Sequence, residues 1–404
     1  MSTWGRIFRV DRFVVVQNCL LFFYFISLIT GFSIQANSGT VKKPKVSRIL
    51  VVYNISLAII LGICYRSASE LLTVGGKRSP VTVVVDGIES MLLLQSMIFG
   101  TIRRYRSWNQ LVEIYNEFRK ISHEIGYSLR EICRPVNEKV LQKLLSSIAL
   151  LVVIVVAVLW RKIMVENVPL DFFTILSSVY PKVMIVYVTV WFYLNVLYVQ
   201  RFLELLNSKL EALHRNVAEA IASKKYSERH IQKLHQIMIL RSRVVNLACR
   251  INQAYGYTMM MVYTLIAMLN LSQLYYLFIT IYRYVRYSSD PYERLSISIL
   301  FMCILNFYEL YCVADVSEMC VEQSNKTSEI LQRFNGLNMD ARLQQSMEIF
   351  LIQLMHHPIK FTACGMFTLD YSMLFSIITS ATSYLIILIQ FELANSSSCS
   401  KITQ

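Results

Sequence analysis

The residues best suited to a chemical role close the last apolar segment, Tyr371–Phe391, which carries no charge. Tyr384, Ile387 and Phe391 recur at helical spacing on one face, and Gln390 lies beside that face. A carboxamide can partner either water or a passing cation. Aromatic rings can close a narrow passage by steric block and dewetting. The alternative interpretation is an ordinary final helix whose aromatic residues form an interfacial belt.

The composition predicts a membrane protein with several crossings. The 404 residues are 55% hydrophobic and only 16% charged, and the mean hydropathy is +0.46. Soluble domains carry about 25% charged residues, and no water-soluble core could absorb this much apolar surface. The net charge of +14 fits Lys and Arg retained in cytoplasmic loops better than nucleic-acid binding. The sequence contains no Walker loop, GxGxxG or HExxH, and its nine scattered cysteines have no metal-site spacing. We therefore expect no enzyme activity, cofactor, metal or nucleic-acid partner.

The elements that must position the last segment are hydrophobic stretches long enough to form membrane helices. Eight of them are visible: Phe13–Ser33, Ser47–Tyr65, Val81–Ile102, Leu144–Met164, Phe172–Val199, Tyr255–Tyr282, Leu295–Val313 and Tyr371–Phe391. About 20 apolar residues in a helix span a ~30 Å hydrocarbon core. Three long polar connections separate them, and the other connections are short. The long connections are Arg103–Lys143, Arg201–Ala254 and Ala314–Asp370.

Basic residues predict the orientation of these segments. The three long connections fall on one side of the membrane and hold 9, 10 and 4 Lys and Arg. With Met1–Arg12 and Ile34–Arg48, that side holds 30 of the 40 basic residues, which marks it as cytosolic. Both flanks of Phe13–Ser33 are then cytosolic, so this segment is predicted to be re-entrant. The alternative is eight crossings with both termini on one side.

The predicted fold class is an all-α membrane protein with seven transmembrane helices, a cytosolic N-terminus and an extracellular C-terminus. An N-terminal re-entrant helix and a helical cytosolic anchor domain complete it. In order, the predicted parts are a cytosolic N-terminus with the re-entrant helix (1–46), transmembrane helices 1–4 with a cytosolic linker at 103–143 (47–200), a cytosolic helical anchor (201–254), transmembrane helices 5–6 (255–313), a second part of the anchor (314–370), helix 7 (371–391) and an extracellular tail (392–404).

The connection Arg201–Ala254 contains a regular apolar pattern. Leucines recur at steps of three and four, which is typical of a packed helical seam. They are Leu203, Leu206, Leu210 and Leu213. The pattern predicts that the fourth and fifth crossings continue into the cytosol as long helices. The seam packs either within one chain or between subunits. The connection Ala314–Asp370 is also predicted to be helical, with a break at Asn335-Gly336.

Candidate ligand-binding residues lie in the outer halves of the predicted crossings. They are Asp86, Glu89, Trp160, Tyr180, Tyr275 and Tyr276. Ionisable groups in a membrane segment normally face the bundle interior or a water-filled cavity. Aromatic walls with a few polar groups suit a small apolar or cationic ligand. The alternatives are an interfacial position for Asp86 and an aromatic belt for the ring residues.

Two motifs near the C-terminus resemble a known family. Ser383–Phe391 is similar to the TYhhhhhQF signature of insect gustatory receptors, with Ser383 in place of Thr, and Gly365–Asp370 resembles the Gly-x-Phe-x-Leu-Asp sequence that precedes it. The resemblance implies a tetramer joined through an intracellular anchor, with the last helix lining an ion pore. Gln390 and Phe391 would then form the constriction, with Tyr384 and Ile387 on the same helix.

The predicted function is therefore a taste receptor that acts as a tastant-gated, non-selective cation channel for bitter or other contact chemosensory compounds. Its expected partners are a small-molecule tastant, membrane lipid and other gustatory receptor subunits in a homo- or hetero-tetramer. Its expected location is the plasma membrane of gustatory neurons. A G-protein-coupled receptor is an alternative, although the cytosolic N-terminus and the lack of an Asn-Pro-x-x-Tyr motif argue against it. A secondary transporter is another, but no internal repeat is visible.

Overall fold

The computed structural model describes residues 35–36, 45–46, 52–53, 56, 59–60, 80–127, 129–161, 172–222, 228–287, 293–334, 337 and 340–402. Long helices make up nearly all of this part. They are α1 (Pro80–Ile125), α2 (Leu129–Arg161), α3 (Phe172–Ala222), α4 (Arg229–Tyr287), α5 (Glu293–Phe334), α6 (Ala341–His356) and α7 (Tyr371–Ile402). The predicted re-entrant segment Phe13–Ser33 and nearly all of Ser47–Tyr65 lie outside the described residues, apart from a few helical positions at 52–60.

Two short antiparallel strand pairs accompany the helices and leave the predicted all-α class unchanged. The strands β1 (Gln35–Ala36) and β2 (Lys45–Val46) pair with each other, as do β3 (Thr362–Ala363) and β4 (Phe367–Thr368). Strands of two residues carry no alternating apolar pattern, which is the signal that identifies a strand in a sequence.

The predicted linker 103–143 is helical apart from one tight turn. The helix α1 runs to Ile125, and α2 begins at Leu129. Gly126 allows the reversal with φ of 78°, a conformation that costs glycine little. Lys209 of α3 donates from its Nζ to the carbonyl oxygen of Ile125 at 2.6 Å, which satisfies a backbone acceptor at the end of α1. The turn is thereby attached to the centre of the bundle.

The central helix is α3, which packs against α2, α4 and α5, while α1 packs mainly against α4. Every residue from Met184 to Val190 is buried, so this part of α3 is covered on all sides. The continuation of α3 to Ala222 and the start of α4 at Arg229 agree with the long helices predicted for Arg201–Ala254. The break predicted at Asn335-Gly336 falls between α5 and α6.

The buried apolar residues form two separate cores. The first core surrounds α3 between Met184 and Leu206 and includes residues of every helix except α6. The second core lies between the C-terminal half of α3, the start of α4, the end of α5 and α6. Its members are Leu210, Leu213, Val217, Leu234, Ile237, Ile330, Leu331, Phe334, Leu343, Met347, Phe350 and Leu354.

Five helices of the described part are long and apolar enough to cross a membrane. The segments that qualify are Glu131–Ala157, Lys182–Ile221, Arg229–Ile279, Ile299–Phe334 and Tyr371–Phe391. They belong to α2, α3, α4, α5 and α7 and define a helical membrane protein with several crossings. The count of seven crossings and the orientation of the termini stay predictions.

Candidate functional site

The candidate site is α7 together with the hairpin that leads into it. The strands β3 and β4 align Thr362 with Thr368 and Ala363 with Phe367. At the tip, Cys364 and Gly365 adopt left-handed φ values of 54° and 75°. A glycine adopts this conformation without steric cost, which gives a physical reason for Gly365 in the motif Gly365–Asp370.

The hairpin is held against α4 by one amide side chain and one glycine. Asn252 accepts from the backbone N–H of Thr362 at 2.7 Å and donates to its hydroxyl at 3.0 Å. One turn later, a Cβ on Gly256 would lie 3.2 Å from the nitrogen of Cys364 and 3.3 Å from the carbonyl oxygen of Thr362. Any larger residue at this position would require the hairpin backbone to shift by a few tenths of an ångström. Sequence reasoning missed both α4 residues because they are more than 100 positions from the hairpin.

Asp370 is the N-cap that starts α7. Its carboxylate accepts from the backbone N–H of Met373 at 3.0 Å and from the hydroxyl of Thr368 at 2.5 Å. A carboxylate at this position satisfies a helix-terminal N–H and interacts favourably with the helix dipole. The next residue, Tyr371, donates its phenolic hydrogen to Asp315 of α5 at 2.7 Å. The base of α7 is therefore fixed to α4 through the hairpin and to α5 through a tyrosine.

Above this base, α7 is the least covered of the five candidate membrane helices. Only 11% of its most apolar window is buried within the chain, against 78% for Lys182–Ile221. Ile377 and Ala381 face the core. Tyr384, Ile387 and Phe391 are 59%, 45% and 60% exposed, and Gln390 is exposed as well. The structure therefore turns all four predicted gate residues away from the chain's own core.

A row of hydroxyl groups runs along the exposed side of α7. Its members recur at steps of three and four, so they share one face. They are Ser372, Ser376, Thr379 and Ser383, and Gln390 continues the same face two turns later. The last three hydroxyls donate to the carbonyl four residues back, at 2.9, 3.0 and 3.1 Å. Their hydrogens are thus satisfied internally, and their oxygen lone pairs stay available to an ion or to water.

The predicted ligand residues are only partly described. Tyr275 is fully buried in α4, and its ring centroid lies 5.7 Å from that of the half-buried Tyr276. The other four residues lie on three different helices. Asp86 and Glu89 are in α1, Trp160 is in α2 and Tyr180 is in α3. Their side chains fall outside the described part of the structure, so their convergence on one site stays a prediction.

A buried ion pair inside the helix bundle was missed by sequence reasoning. Lys143 of α2 lies 2.6 Å from Glu309 of α5, with side chains that are 2% and 0% exposed. Glu309 also accepts from the hydroxyls of Ser147, at 2.6 Å, and Thr189. The Lys143 ammonium lies 5.7 Å from the ring centroid of Tyr193, a cation–π distance. A carboxylate within an apolar segment was the available signal for this site.

A second buried polar cluster lies one turn away along α5. Lys182 of α3 donates to the amide oxygen of Asn306 at 3.0 Å. Asn306 in turn donates to Asn270 at 2.9 Å and more weakly to Gln273 at 3.4 Å. These side chains join α3, α4 and α5 in the interior of the bundle. Together with the ion pair, they make α5 the helix through which the buried polar groups are connected.

Ion pairs on the surface join α1 to α4. Arg243 donates to Glu117 at 2.6 Å and also contacts Glu124. The hydrogen bond from Arg243 holds the pKa of the Glu117 carboxyl below its usual value. Arg250 and Glu113 extend this contact at 3.6 Å. Arg243 and Glu117 are half-buried and the other partners are exposed, so these pairs orient the two helices while water screens much of their attraction.

The leucine seam is buried inside the chain. Leu203, Leu206, Leu210 and Leu213 are at most 3% exposed. The first two belong to the first core and the other two to the second. Helices of the same chain therefore cover the seam, which agrees with the alternative that the seam packs within one chain. A role in assembly stays a prediction, and it would have to act through the fold of the anchor helices rather than through a leucine surface.

The apolar helix bundle and the largely uncovered final helix define the chain as a multi-pass membrane protein. The sequence profile of the 7tm Chemosensory receptor family matches residues 17–395. The chain therefore belongs to that family, which consists of chemosensory receptors rather than enzymes. The resemblance drawn from Ser383–Phe391 and Gly365–Asp370 is confirmed.

Individual relatives agree with the family. The chain is 26% identical over 327 residues to the Drosophila melanogaster protein named gustatory receptor for bitter taste 22e, covering 79% of each chain. It is 26% identical over 167 residues to gustatory receptor for bitter taste 66a of the same species, covering 40% of this chain and 31% of that one.

Among solved structures, the insect olfactory receptor OR5 from Machilis hrabei matches with a TM-score of 0.68 and 12% identity. The match covers 94% of this chain and 100% of that one. The same receptor in complex with eugenol matches with a TM-score of 0.63. At this identity the likeness shows a shared fold alone.

Proposed function

We propose that this chain is a subunit of a tastant-gated, non-selective cation channel with seven crossings in each subunit and four subunits around one pore. The observation that carries the proposal is α7. It is a membrane-length helix that its own chain leaves largely uncovered, with a hydroxyl row on the exposed side. Such a face is less favourable in lipid than an aliphatic one, because its oxygen lone pairs have no donors there. It is suited to a water-filled pore formed when four copies meet.

The same face supplies a gate in this proposal. Hydroxyl oxygens from Ser372 to Ser383 line the inner part of the pore and replace some of a cation's water ligands. Gln390 and Phe391 form the constriction, with Ile387 on the wall below and Tyr384 nearby. Four phenylalanine rings close the pore by steric block and dewetting, and ligand binding elsewhere favours the wetted state. Uncharged lining groups explain why the channel would select weakly among cations.

For the ligand we propose a small apolar or cationic tastant, of the bitter class that is named for two of the relatives. The proposed pocket lies in the outer half of the bundle. It combines the described pair Tyr275 and Tyr276 with aromatic and acidic residues of other helices. Those residues are Trp160, Tyr180, Asp86 and Glu89. Aromatic faces bind apolar and cationic groups, and the acids favour a positive charge.

For assembly we propose a different surface from the leucine seam. The helix α6 buries one side in the second core and exposes a second apolar ridge of Ile349, Ile352 and Met355 on the other. Met355 is 81% exposed, which is unusual for a methionine in a cytosolic helix. The family resemblance implies an intracellular anchor between subunits. We therefore place the α6 ridge against the neighbouring subunit, which is either a second copy or another gustatory receptor.

The pore proposal is tested by whole-cell current in cells that lack other receptors, normalised to surface protein. Phe391→Ala should open without ligand, because removing the plug lowers the cost of the hydrated state. Gln390→Lys should depress cation current through like-charge repulsion, and Gln390→Glu should strengthen divalent entry and block. The control is Ile378→Ala, a 40% exposed residue that helical spacing places away from both the hydroxyl row and Phe391. Wild-type behaviour in all three gate variants would refute a gate in the last helix.

The orientation is tested separately. In unpermeabilised cells an antibody should label a tag after Gln404 and should not label a tag before Met1. The reverse pattern would overturn both the topology and the channel. The proposed location is the plasma membrane of gustatory neurons, and surface labelling of the C-terminal tag also reports on that location.

A further inference from the structure

A polar layer separates the two apolar cores. On α3, the first core ends at Leu206 and the second begins at Leu210. The layer consists of buried residues from α3, α4 and α5, namely Asn207, Arg241, Ser324 and Thr327. Asn207 donates to the carbonyl of Gln323 at 2.8 Å and accepts from Thr327 at 2.7 Å. The amide and the threonine are thus satisfied, whereas the Nε–H of Arg241 has no partner among the described residues.

Arg241 is a buried cation with unfilled donors. Its side chain is 4% exposed, and Nη2 donates to the hydroxyl of Ser324 at 3.0 Å. Its Nε–H has no acceptor among the described residues. No described carboxylate pairs with Arg241, and residues 223–227 and 335–339, which adjoin α3, α4 and α5 in sequence, contain no acid. A guanidinium cannot shed its charge at physiological pH.

Other cations of the chain show how this charge is normally compensated. The buried Lys143 is paired with the carboxylate of Glu309. Arg243, only two residues after Arg241, is paired with Glu117 and Glu124. Buried charges without a partner are costly, and proteins usually pair them or bind an ion to them. Within the part of the chain that the structure describes, the charge of Arg241 is therefore left without a negative partner.

We infer that Arg241 and Ser324 hold a small monovalent anion, of which chloride is the abundant example. Ser324 accepts from the guanidinium, and no described acceptor takes its own hydroxyl hydrogen. Arg241 Nε–H and the Ser324 O–H are therefore two donors, on neighbouring groups, that an anion can fill. Two donors beside an uncompensated positive charge favour an anion over a cation, and the charge favours an anion over a neutral water molecule.

The size of the anion follows from the burial. Two apolar cores enclose the layer from above and below, and Arg241 and Ser324 are 4% and 5% exposed. A phosphorylated headgroup or an acidic side chain of another subunit would need an open path to the arginine. A single halide ion does not. The anion would stabilise the junction between the bundle core and the α6 region independently of any channel activity.

The test is thermal unfolding of the full-length receptor in detergent, with chloride replacing gluconate at constant ionic strength. Tm should rise with chloride by roughly 1–3 °C for each tenfold increase above the dissociation constant, because the anion binds only the folded state. Arg241→Gln should abolish this dependence. Ser324→Ala keeps the charge and loses one donor. The chloride concentration at which Tm begins to rise should therefore be several-fold higher in this variant. Arg243→Gln removes a nearby guanidinium that is already paired with two carboxylates, and it should keep the wild-type dependence.

Two results would overturn the inference. Equal wild-type Tm in chloride and gluconate would show that no small anion binds, and that water alone solvates Arg241. An unchanged chloride dependence in both Arg241→Gln and Ser324→Ala would place the anion elsewhere. If Arg241→Gln fails to fold, the wild-type series and Ser324→Ala still decide between these outcomes. Bromide should replace chloride, since it has the same charge and a similar radius.

Discussion

The buried pair Lys143–Glu309 makes a sharp prediction about stability. At 2.6 Å and an effective dielectric constant of about 20, the attraction is worth about 6 kcal/mol. The cost of removing both charges from water offsets much of this, so the net contribution of the pair is small. Removing one partner is different, because the other charge stays buried. We expect Lys143→Met or Glu309→Gln alone to destabilise the receptor by about 3–5 kcal/mol.

The double variant separates the two effects. In Lys143→Met with Glu309→Gln no charge is left, and the amide oxygen still accepts from the hydroxyls of Ser147 and Thr189. The double variant should therefore be more stable than either single variant. With single costs of about 3–5 kcal/mol each, this implies a coupling energy of more than about 3 kcal/mol. A cycle of this kind measures the interaction itself rather than the cost of each truncation.

The assay is the midpoint of heat-induced loss of the monodisperse receptor on size-exclusion chromatography, together with the surface fraction in cells. Arg342 and Glu228 provide a matched control, since they lie 3.5 Å apart with side chains 76% and 77% exposed. Arg342→Met and Glu228→Gln should each cost less than about 1 kcal/mol. The reasoning is refuted if the buried single variants cost no more than this control, or if the double variant equals the sum of the singles.

Three further predictions concern the hairpin, the subunit contact and pH. Gly256→Ala should destabilise the fold by about 1–3 kcal/mol, because the added Cβ would meet backbone atoms of the hairpin. The midpoint temperature of heat-induced aggregation should therefore fall. Gly87→Ala, where the added Cβ meets no atom within 4 Å, should leave this midpoint unchanged. Ile352→Asp should lower the oligomer size on a native gel without lowering monomer stability; an unchanged oligomer would remove α6 from the interface. The fold lowers the pKa of Glu117, so the ionised carboxylate stabilises the folded receptor. This contribution is fully present above the unfolded pKa of 4.5 and is lost as pH falls through the lower pKa of the folded state. Stability between pH 6 and 8 should therefore not depend on this group, and Glu117→Gln should remove the acid-sensitive part.

Local patterns in the sequence predicted the helices but not the partners of their faces. The steps of three and four from Leu203 to Leu213 correctly indicate a covered helix face. They carry no information on whether the covering residue belongs to the same chain. The α6 ridge, by contrast, is interspersed with the residues of the buried side. Ile349 and Ile352 lie close in sequence to Phe350 and Leu354, so the helix reads as apolar without showing two separate faces.

Contacts between side chains that are far apart in the sequence could not be predicted from local patterns either. Lys143 and Glu309 are 166 positions apart, and Asn252 and Thr362 are 110 apart. Each residue alone has an ordinary interpretation as a boundary lysine or a helix-surface asparagine. Glu309 was the exception, because a carboxylate inside an apolar segment requires a partner. The motif Gly365–Asp370 was recognised by resemblance, and the structure supplies its physical basis in a left-handed turn and an N-cap.

Three polar contacts connect α5 to α2, α3 and α7, so a movement of α5 would be transmitted to the helix that we propose lines the pore. Asn306 binds Lys182 of α3, Glu309 binds Lys143 of α2, and Asp315 accepts from Tyr371 at the base of α7. All three acceptors belong to one continuous helix, so a shift of α5 along its axis alters the three contacts together. The base of α7 has a second attachment to α4 through the hairpin. A ligand that moves α5 relative to α4 would therefore act on the final helix at its two fixed points, while its exposed face stays free to rearrange.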